Sequence, residues 1–294
     1  MHYTSVVIIF NPNSTGPSKT LASDLKRSIN HELPDQKVLL KATEYAGHAE
    51  KIAFDHAKRT ATPLIISSSG DGGYNEVVNG IMRANNEGAK ATAGLLPAGN
   101  ANDHHANVHF VDIVQAVKNG TSKRIDVLRV IGTSRGKKIE RYGHSYAGFG
   151  LTPTVARALN QNKLNVFNQI WIVGKELLSM RSTSLIVDGK KQSYDSVICS
   201  NVDKMSKYLK ISTPSSLTDG KFEVTSFHKT HRARLLLTLF KTSLFGVHED
   251  KSVSHYDAKT VRKTAVQVDG EIIELDASTD VAVLCDKQAL PCAV

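Results

Sequence analysis

Apolar positions in the first hundred residues fall in short runs that alternate with stretches of helical spacing. Ser5–Phe10 is a run of β-branched and aromatic residues and predicts a buried strand. A dense cluster of turn residues, Asn11 to Pro17, follows it. From Ser18 to Leu33, Leu21, Leu25 and Ile29 share one helical face. Val38–Lys41 reads as a second strand, Thr43 opens a second turn, and a helix continues through Ala49, Ala53 and Ala57. Leu64–Ser67 is the third strand, Asn75–Asn85 the third helix, and Gly94–Leu96 a short fourth strand. Strand, polar loop and helix repeated in this way predict a parallel α/β sheet. Ligands of such sheets bind at the carboxyl ends of the strands. Three polar loops lie there, Asn11–Gly16, Ser69–Tyr74 and Pro97–Asp103, and they are expected to converge in space.

Around Ile125 the texture changes. Asp126–Ile131, Lys138–Ala147, Ser184–Val187, Ser196–Asn201, Leu209–Ser212, Phe222–Phe227, Val261–Val268 and Val281–Cys285 read as strands separated by turns. Helical spacing survives at Leu151–Met180 and Arg232–Phe245. The expectation is an α/β domain over residues 1–125, an antiparallel β-rich domain over 126–283, and a tail, 284–294, that returns to pack on the first domain.

Composition narrows the class. Charged residues are 22% and hydrophobic ones 40%, which suits an ordinary globular core. No apolar run approaches the roughly 20 residues that a membrane-spanning helix needs, and the opening VVIIF is too short for a signal-peptide core. The three cysteines, Cys199, Cys285 and Cys292, are too scattered for a disulfide framework. These features point to a cytoplasmic protein. The net charge of +9 favours an anionic partner. Nucleic acid is disfavoured, because there is no basic helix or interleaved aromatic stack. An acidic membrane surface accounts for the charge equally well. The helix at Arg232–Phe245, with basic residues beside apolar pairs, could dock there or simply pack in the fold. His104, His105 and His109 form a histidine cluster without the spacing of a zinc site, so packing or solvation is expected of them.

The chemistry concentrates in Leu64–Gly80, LIISSSGDGGYNEVVNG. A strand running through Gly70-Asp71-Gly72-Gly73 into a helix suits phosphate. Glycines allow close backbone approach and positive φ, and the helix start offers unpaired N–H groups and positive potential. A carboxylate in that place repels phosphate directly, so Asp71 is read as a magnesium partner or a proton acceptor in phosphoryl transfer.

Four stretches in order extend this. Asn11-Pro12 with Ser14 and Gly16, Ser69-Gly70-Asp71-Gly72 with Asn75-Glu76-Val77, Leu96-Pro97-Ala98-Gly99 with Asn102-Asp103, and Asp269-Gly270-Glu271 together resemble the diacylglycerol kinase catalytic-domain family. That family takes in bacterial diacylglycerol kinases, related lipid kinases and sphingosine kinases. The likeness spans Val6 to about Glu274. It implies an α/β nucleotide domain, a C-terminal β-sandwich and an active site in the cleft between them. ATP, magnesium and a lipid hydroxyl acceptor are implied with it, and diacylglycerol giving phosphatidic acid is the default reaction.

By the same resemblance, Asn11, Pro12, Asn13, Ser14, Thr15 and Gly16 hold the nucleotide together with Thr43, the run Gly70-Asp71-Gly72-Gly73-Tyr74-Asn75-Glu76, and Asn100. Read alone, Asn11–Gly16 or Thr43 could equally cap a helix. Glu76 braces the loop from the first helical turn. Glu271 matches the family's proposed general base, with Asp71 as its rival; Asp-Gly-Glu alone is also a common hairpin turn. The segment Ile211–Val224 resembles a structural metal loop of bacterial members. There Asp219, with carbonyls near Ser216 and Lys221, would bind magnesium or calcium, and a plain β-turn is the alternative.

The chain departs from the family at Gly73 (usually threonine), at Asn100-Ala101 (usually Thr-Gly), at His104-His105 (usually Phe-Ala) and at Thr152 (commonly aspartate). An NAD kinase-like enzyme, or a relative that binds nucleotide or lipid without turnover, are the alternatives. The expected partners are a lipid alcohol and an anionic membrane surface engaged peripherally, with a homodimer left open.

Overall fold

A computed structural model describes residues 2–14, 16–99, 102–108, 112–160, 175–176, 181–205, 209–210, 216–231, 234–235 and 250–293. The chain divides into two compact units. One comprises Met1–Val127 with Lys287–Val294, and the other Leu128–Asp286. The division falls between Val127 and Leu128 and again between Asp286 and Lys287.

The first unit alternates β1 (Ser5–Phe10), α1 (Ser18–Glu32), β2 (Val38–Ala42), α2 (His48–Arg59), β3 (Pro63–Ser69), α3 (Asp71–Asn86), β4 (Thr92–Pro97), α4 (Asp103–Asn107) and α5 (Ile113–Asn119). The four strands are parallel in the order β4-β3-β1-β2. Strands covered on both faces need continuous apolar runs, and Val6, Val7, Ile8 and Ile9 are all buried. Val6, Ile8, Leu64 and Ile66 pack with Ala22 and Ile29 of α1 and with Ile113, Val114 and Val117 of α5. The alternate residues face α2 and α3, which pack closely on each other. Gly80 permits that approach, because a Cβ there would lie 2.4 Å from the Glu50 carbonyl oxygen.

The register levels the strand ends. Phe10 stands beside Ala42 and Ser68, and Ser69 beside Pro97. The polar loops that follow these residues therefore start side by side, and the Thr43 N–H donates to the Phe10 carbonyl at 2.9 Å.

The second unit holds β5 (Lys123–Ser134), which begins in the first unit, then β6 (Lys137–Gly143), β7 (Tyr146–Gly150), α6 (Leu151–Asn160), β8 (Thr183–Val187), β9 (Lys190–Ser200), β10 (Lys204–Met205), β11 (Leu209–Lys210), β12 (Phe222–His228), β13 (Asp250–Val253), β14 (His255–Thr260), β15 (Thr264–Val268), β16 (Glu271–Leu275) and β17 (Asp280–Cys292). Its pairings are antiparallel, with β9 flanked by β7, β8 and β12. Phe149, Val197, Phe222, Val266 and Val283 centre its core.

Several expectations change. The third helix begins at Asp71 rather than Asn75, so Ser69–Tyr74 is not a loop. Gly70 precedes it in extended geometry, φ −85° and ψ −174°, and an acidic first residue suits the helix dipole. The expected strand Lys138–Ala147 is broken at His144-Ser145, whose N–H groups turn to the Asp269 carboxylate instead of a ladder. Val261–Val268 is broken as well, at a turn where the Thr264 hydroxyl donates to the Arg262 carbonyl. Residues 284–292 are the end of β17, and Cys292 there pairs with Ala93 of the first unit. Of the helix expected at Arg232–Phe245, only Arg234-Leu235 is described, and the rest lies outside the described residues. Of Leu151–Met180, residues 161–174 and 177–180 lie outside them, as do residues 211–215 and His109.

Candidate active site

The loops after β1 and β4 and the start of α3 converge through glycine contacts. A Cβ on Gly16 would meet the Ala98 carbonyl oxygen at 2.1 Å, and one on Gly99 would meet the Gly70 Cα at 2.4 Å. The glycines at 16, 70 and 99 therefore serve close approach. The positive φ expected of the Gly70–Gly73 stretch is absent, since Gly72 and Gly73 are helical.

The loop Asn11–Gly16 is held by its own side chains. Asn11 Oδ1 accepts from the Asn13 N–H at 2.9 Å, and the Ser14 hydroxyl donates to the Gly16 carbonyl. It does not cap α1, whose N-cap is Pro17 without a side-chain bond. Thr43 does not cap α2 either, because that helix starts after Gly47. Pro12 is exposed, and Thr15 and Asn100 lie outside the described residues.

Asp71 is fixed from a distance. Its two oxygens accept the N–H groups of Asp103 and His104 at 3.0 and 3.1 Å. It thereby holds the start of α4, where Asn102 has φ +52° and closes on Gly99 through both ends of its carboxamide. Glu76 braces a different loop from the expected one. Its oxygens accept from Gly47 N–H at 3.0 Å and Ala49 N–H at 3.1 Å, capping α2. Gly70, at the N-cap of α3, brings no side chain to cap that helix, and a helix N-terminus carries positive potential.

A cavity of about 370 Å³ opens beside the start of α3. Asn11, Asn13, Thr43, Gly73 and Glu76 line it, together with Ser69 and with Glu44, Tyr45 and Ser67, which the sequence reading did not name as site residues. Strand alternation was the available signal for the serines, because positions 67 and 69 share one face. Tyr45 is the large exposed aromatic of the described residues, stacked on His48 at 4.5 Å. Two residues expected at the nucleotide turn away. Tyr74 is fully buried with its hydroxyl against Cys292 Sγ, and the buried Asn75 carboxamide accepts from Asn79. Their side chains are core elements of α3.

In the second unit, Asp269 and Gly270 both have positive φ, 44° and 94°, and join β15 to β16 in a two-residue hairpin turn. More than a turn is built there. The Asp269 carboxylate is wholly buried and accepts N–H groups from His144, Ser145 and Tyr146, the last at 2.9 Å. Burial raises its pKa, opposed by the adjacent His144 and those N–H donors. Glu271 follows on β16. Arg141 Nε donates to its Oε2 at 2.9 Å, and Arg141 Nη2 reaches the same oxygen.

Asp219 forms an Asx turn, accepting from the Lys221 N–H at 2.9 Å, and the Ser216 hydroxyl contacts Thr218. No group of three or more histidine, cysteine or acidic side chains converges as a metal site among the described residues. His104 is buried beside the Tyr74 ring. Thr152 is buried in α6, and a Cβ on Gly148 would strike its hydroxyl at 2.2 Å.

Comparison with known proteins bears on this geometry. Residues 5–130 match the family model of the diacylglycerol kinase catalytic domain. The chain is 28% identical to a diacylglycerol kinase of Bacillus subtilis (strain 168) over 284 residues, covering 90% of this chain and 88% of the relative. It is 26% identical to a diacylglycerol kinase of Staphylococcus aureus (strain MRSA252) over 291 residues, covering 90% and 85%. Among solved structures, a diacylglycerol kinase from Bacillus anthracis str. Sterne superposes with a TM-score of 0.69 at 17% identity, covering 100% of this chain and 97% of that one. Yeast NADH kinase complexed with NADH superposes at 0.53 and 12% identity, covering 99% and 84%. At these identities both likenesses concern the fold.

Proposed function

We propose that this protein is an ATP-dependent lipid kinase, a reading supported by the match of residues 5–130 to the diacylglycerol kinase catalytic-domain model. The cavity beside the start of α3 is the observation that carries this reading. Phosphoryl transfer asks for positioning and charge neutralisation more than covalent chemistry. The carboxamides of Asn11 and Asn13, the Thr43 hydroxyl and the first-turn N–H groups of α3 grip the nucleotide. Hard oxygen donors suit magnesium, and the Asp71 carboxylate would be the group that holds it. When bound, the ion neutralises phosphate charge. Glu271 accepts the proton of the acceptor hydroxyl at Oε1, while Arg141 orients the carboxylate through Oε2.

The acceptor is a lipid alcohol presented by an anionic surface, which the net charge of +9 favours. Diacylglycerol, giving phosphatidic acid, is the first acceptor to test. No helix among the described residues is long and apolar enough to cross a membrane, and peripheral binding is the mode proposed.

The reading is tested with labelled ATP, magnesium and diacylglycerol in anionic vesicles. Label is expected in the lipid, and Asp71→Asn is expected to lose at least about 100-fold in turnover while keeping a cooperative melt. Asp71→Asn turning over like the unaltered protein contradicts the role of Asp71.

A further inference from the structure

We propose that Ser69 is a nucleotide-binding residue, supplying from the end of β3 a hydroxyl that Gly73 leaves room for at the start of α3. This rests on the kinase reading and names a residue for its nucleotide site.

The three serines that end β3 divide by strand alternation. Ser68 turns to α1, where its hydroxyl donates to the Ser18 carbonyl at 2.8 Å and Ser18 Oγ donates back to the Ser68 carbonyl. That pair is fully buried and structural. Ser67 and Ser69 turn the other way and line the cavity with their hydroxyl oxygens 2.7 Å apart. Ser69 also bonds the carbonyl of its own neighbour, Gly70, at 2.9 Å.

The protons set the direction. Ser69 has one hydroxyl proton. Given to Gly70, it makes Ser67 the donor to Ser69. When a phosphate oxygen enters the cavity, the Ser69 proton turns to it, and Ser67 still donates from behind. The N-terminus of α3, which begins at Asp71 after Gly70, supplies positive potential near the same spot. Glu76 also lines the cavity, but both its oxygens accept backbone N–H groups of the α2 start, which moderates its repulsion of an anion.

Position 73 decides whether Ser69 can act. A Cβ there would lie 2.6 Å from Ser69 Oγ and 2.7 Å from Ser69 Cβ. Side chains at 69 and 73 therefore compete for one space. The chain fills it from the strand, and the glycine on the helix makes this possible.

The test is ATP binding by calorimetry, paired with initial rates against ATP, on four forms of the full chain. Ser69→Ala is expected to weaken ATP binding about tenfold, the scale of one lost hydrogen bond to a charged group, while the nucleotide-free protein still melts cooperatively. Gly73→Thr is expected to weaken it at least as much. The double variant Ser69→Gly/Gly73→Thr moves the hydroxyl to the helix and is expected to bind within about threefold of the unaltered protein, a non-additive pair. Unaltered ATP binding in Ser69→Ala overturns the proposal, as does a double variant no better than Gly73→Thr alone. If the unaltered protein binds no ATP, the kinase reading falls with it. If it binds and turns over ATP while Ser69→Ala matches it, this inference alone falls.

Discussion

Both oxygens of Asp71 serve the backbone at the start of α4, accepting from Asp103 and His104, 32 and 33 residues away. The residue that carries the candidate chemistry therefore also sets the shape of its surroundings. An asparagine can accept through one atom only and presents an amide to the second N–H. Asp71→Asn is thus expected to cost about 1–3 kcal/mol of stability as well as turnover, measured by urea denaturation. The cysteines offer a separate check at this scale. Burial pushes the Cys292 thiol up to about 12 and raises Cys199 further, and both are buried, whereas Cys285 is half-buried. In the native protein a thiol reagent is expected to label Cys285 alone, with the other two reacting only after denaturation. Rapid native labelling of Cys199 or Cys292 contradicts the packing described.

Among the elements, α2 and α3 are coupled through one carboxylate. Glu76 on α3 caps α2 through Gly47 and Ala49, and both helices border the cavity. Glu76→Ala is expected to destabilise by about 1–2 kcal/mol and to speed hydrogen exchange at the start of α2. Unchanged exchange at Gly47–Ala49 contradicts the cap.

This contact marks what the sequence makes legible. The strands of the first unit and their parallel pairing follow from local apolar runs and turn residues. The partners of Asp71, Glu76 and Asp269 do not, because each lies in another part of the chain and carries no local signature. The break in the expected strand at His144-Ser145 is the same effect, with a distant carboxylate outcompeting the ladder for N–H groups. Helix α5 is a different miss. Asp112 caps it by accepting from Gln115 N–H at 3.0 Å, and Asp-x-x-Gln before an apolar run was a readable start. Ser67 carries no local signal, and Ser69 reads as part of a turn, because serine at a strand end usually means one. Their common face is a matter of register with α3.

For the molecule as a whole, acid sensitivity is expected. His56 is half-buried between α2 and β1, with its Nε2 2.9 Å from the Ser5 hydroxyl. Desolvation lowers its pKa below 6.5, aided by Lys37 and Lys41. The unfolded chain then binds this proton at a higher pH than the folded one. The stability it contributes is present above about pH 6.5 and is lost as pH falls through the folded value. Urea midpoints measured from pH 7.5 to 5 are expected to fall, and His56→Gln is expected to flatten part of that slope. An unchanged slope in the variant contradicts the assignment.

The central claim is that this chain carries phosphate from ATP to a lipid hydroxyl. The most direct measurement offers one labelled ATP pool to diacylglycerol in anionic vesicles and to NAD in parallel, with magnesium present, and separates the products. The account predicts label in phosphatidic acid and none in NADP. Label in NADP alone, or in neither product while ATP binds, contradicts it.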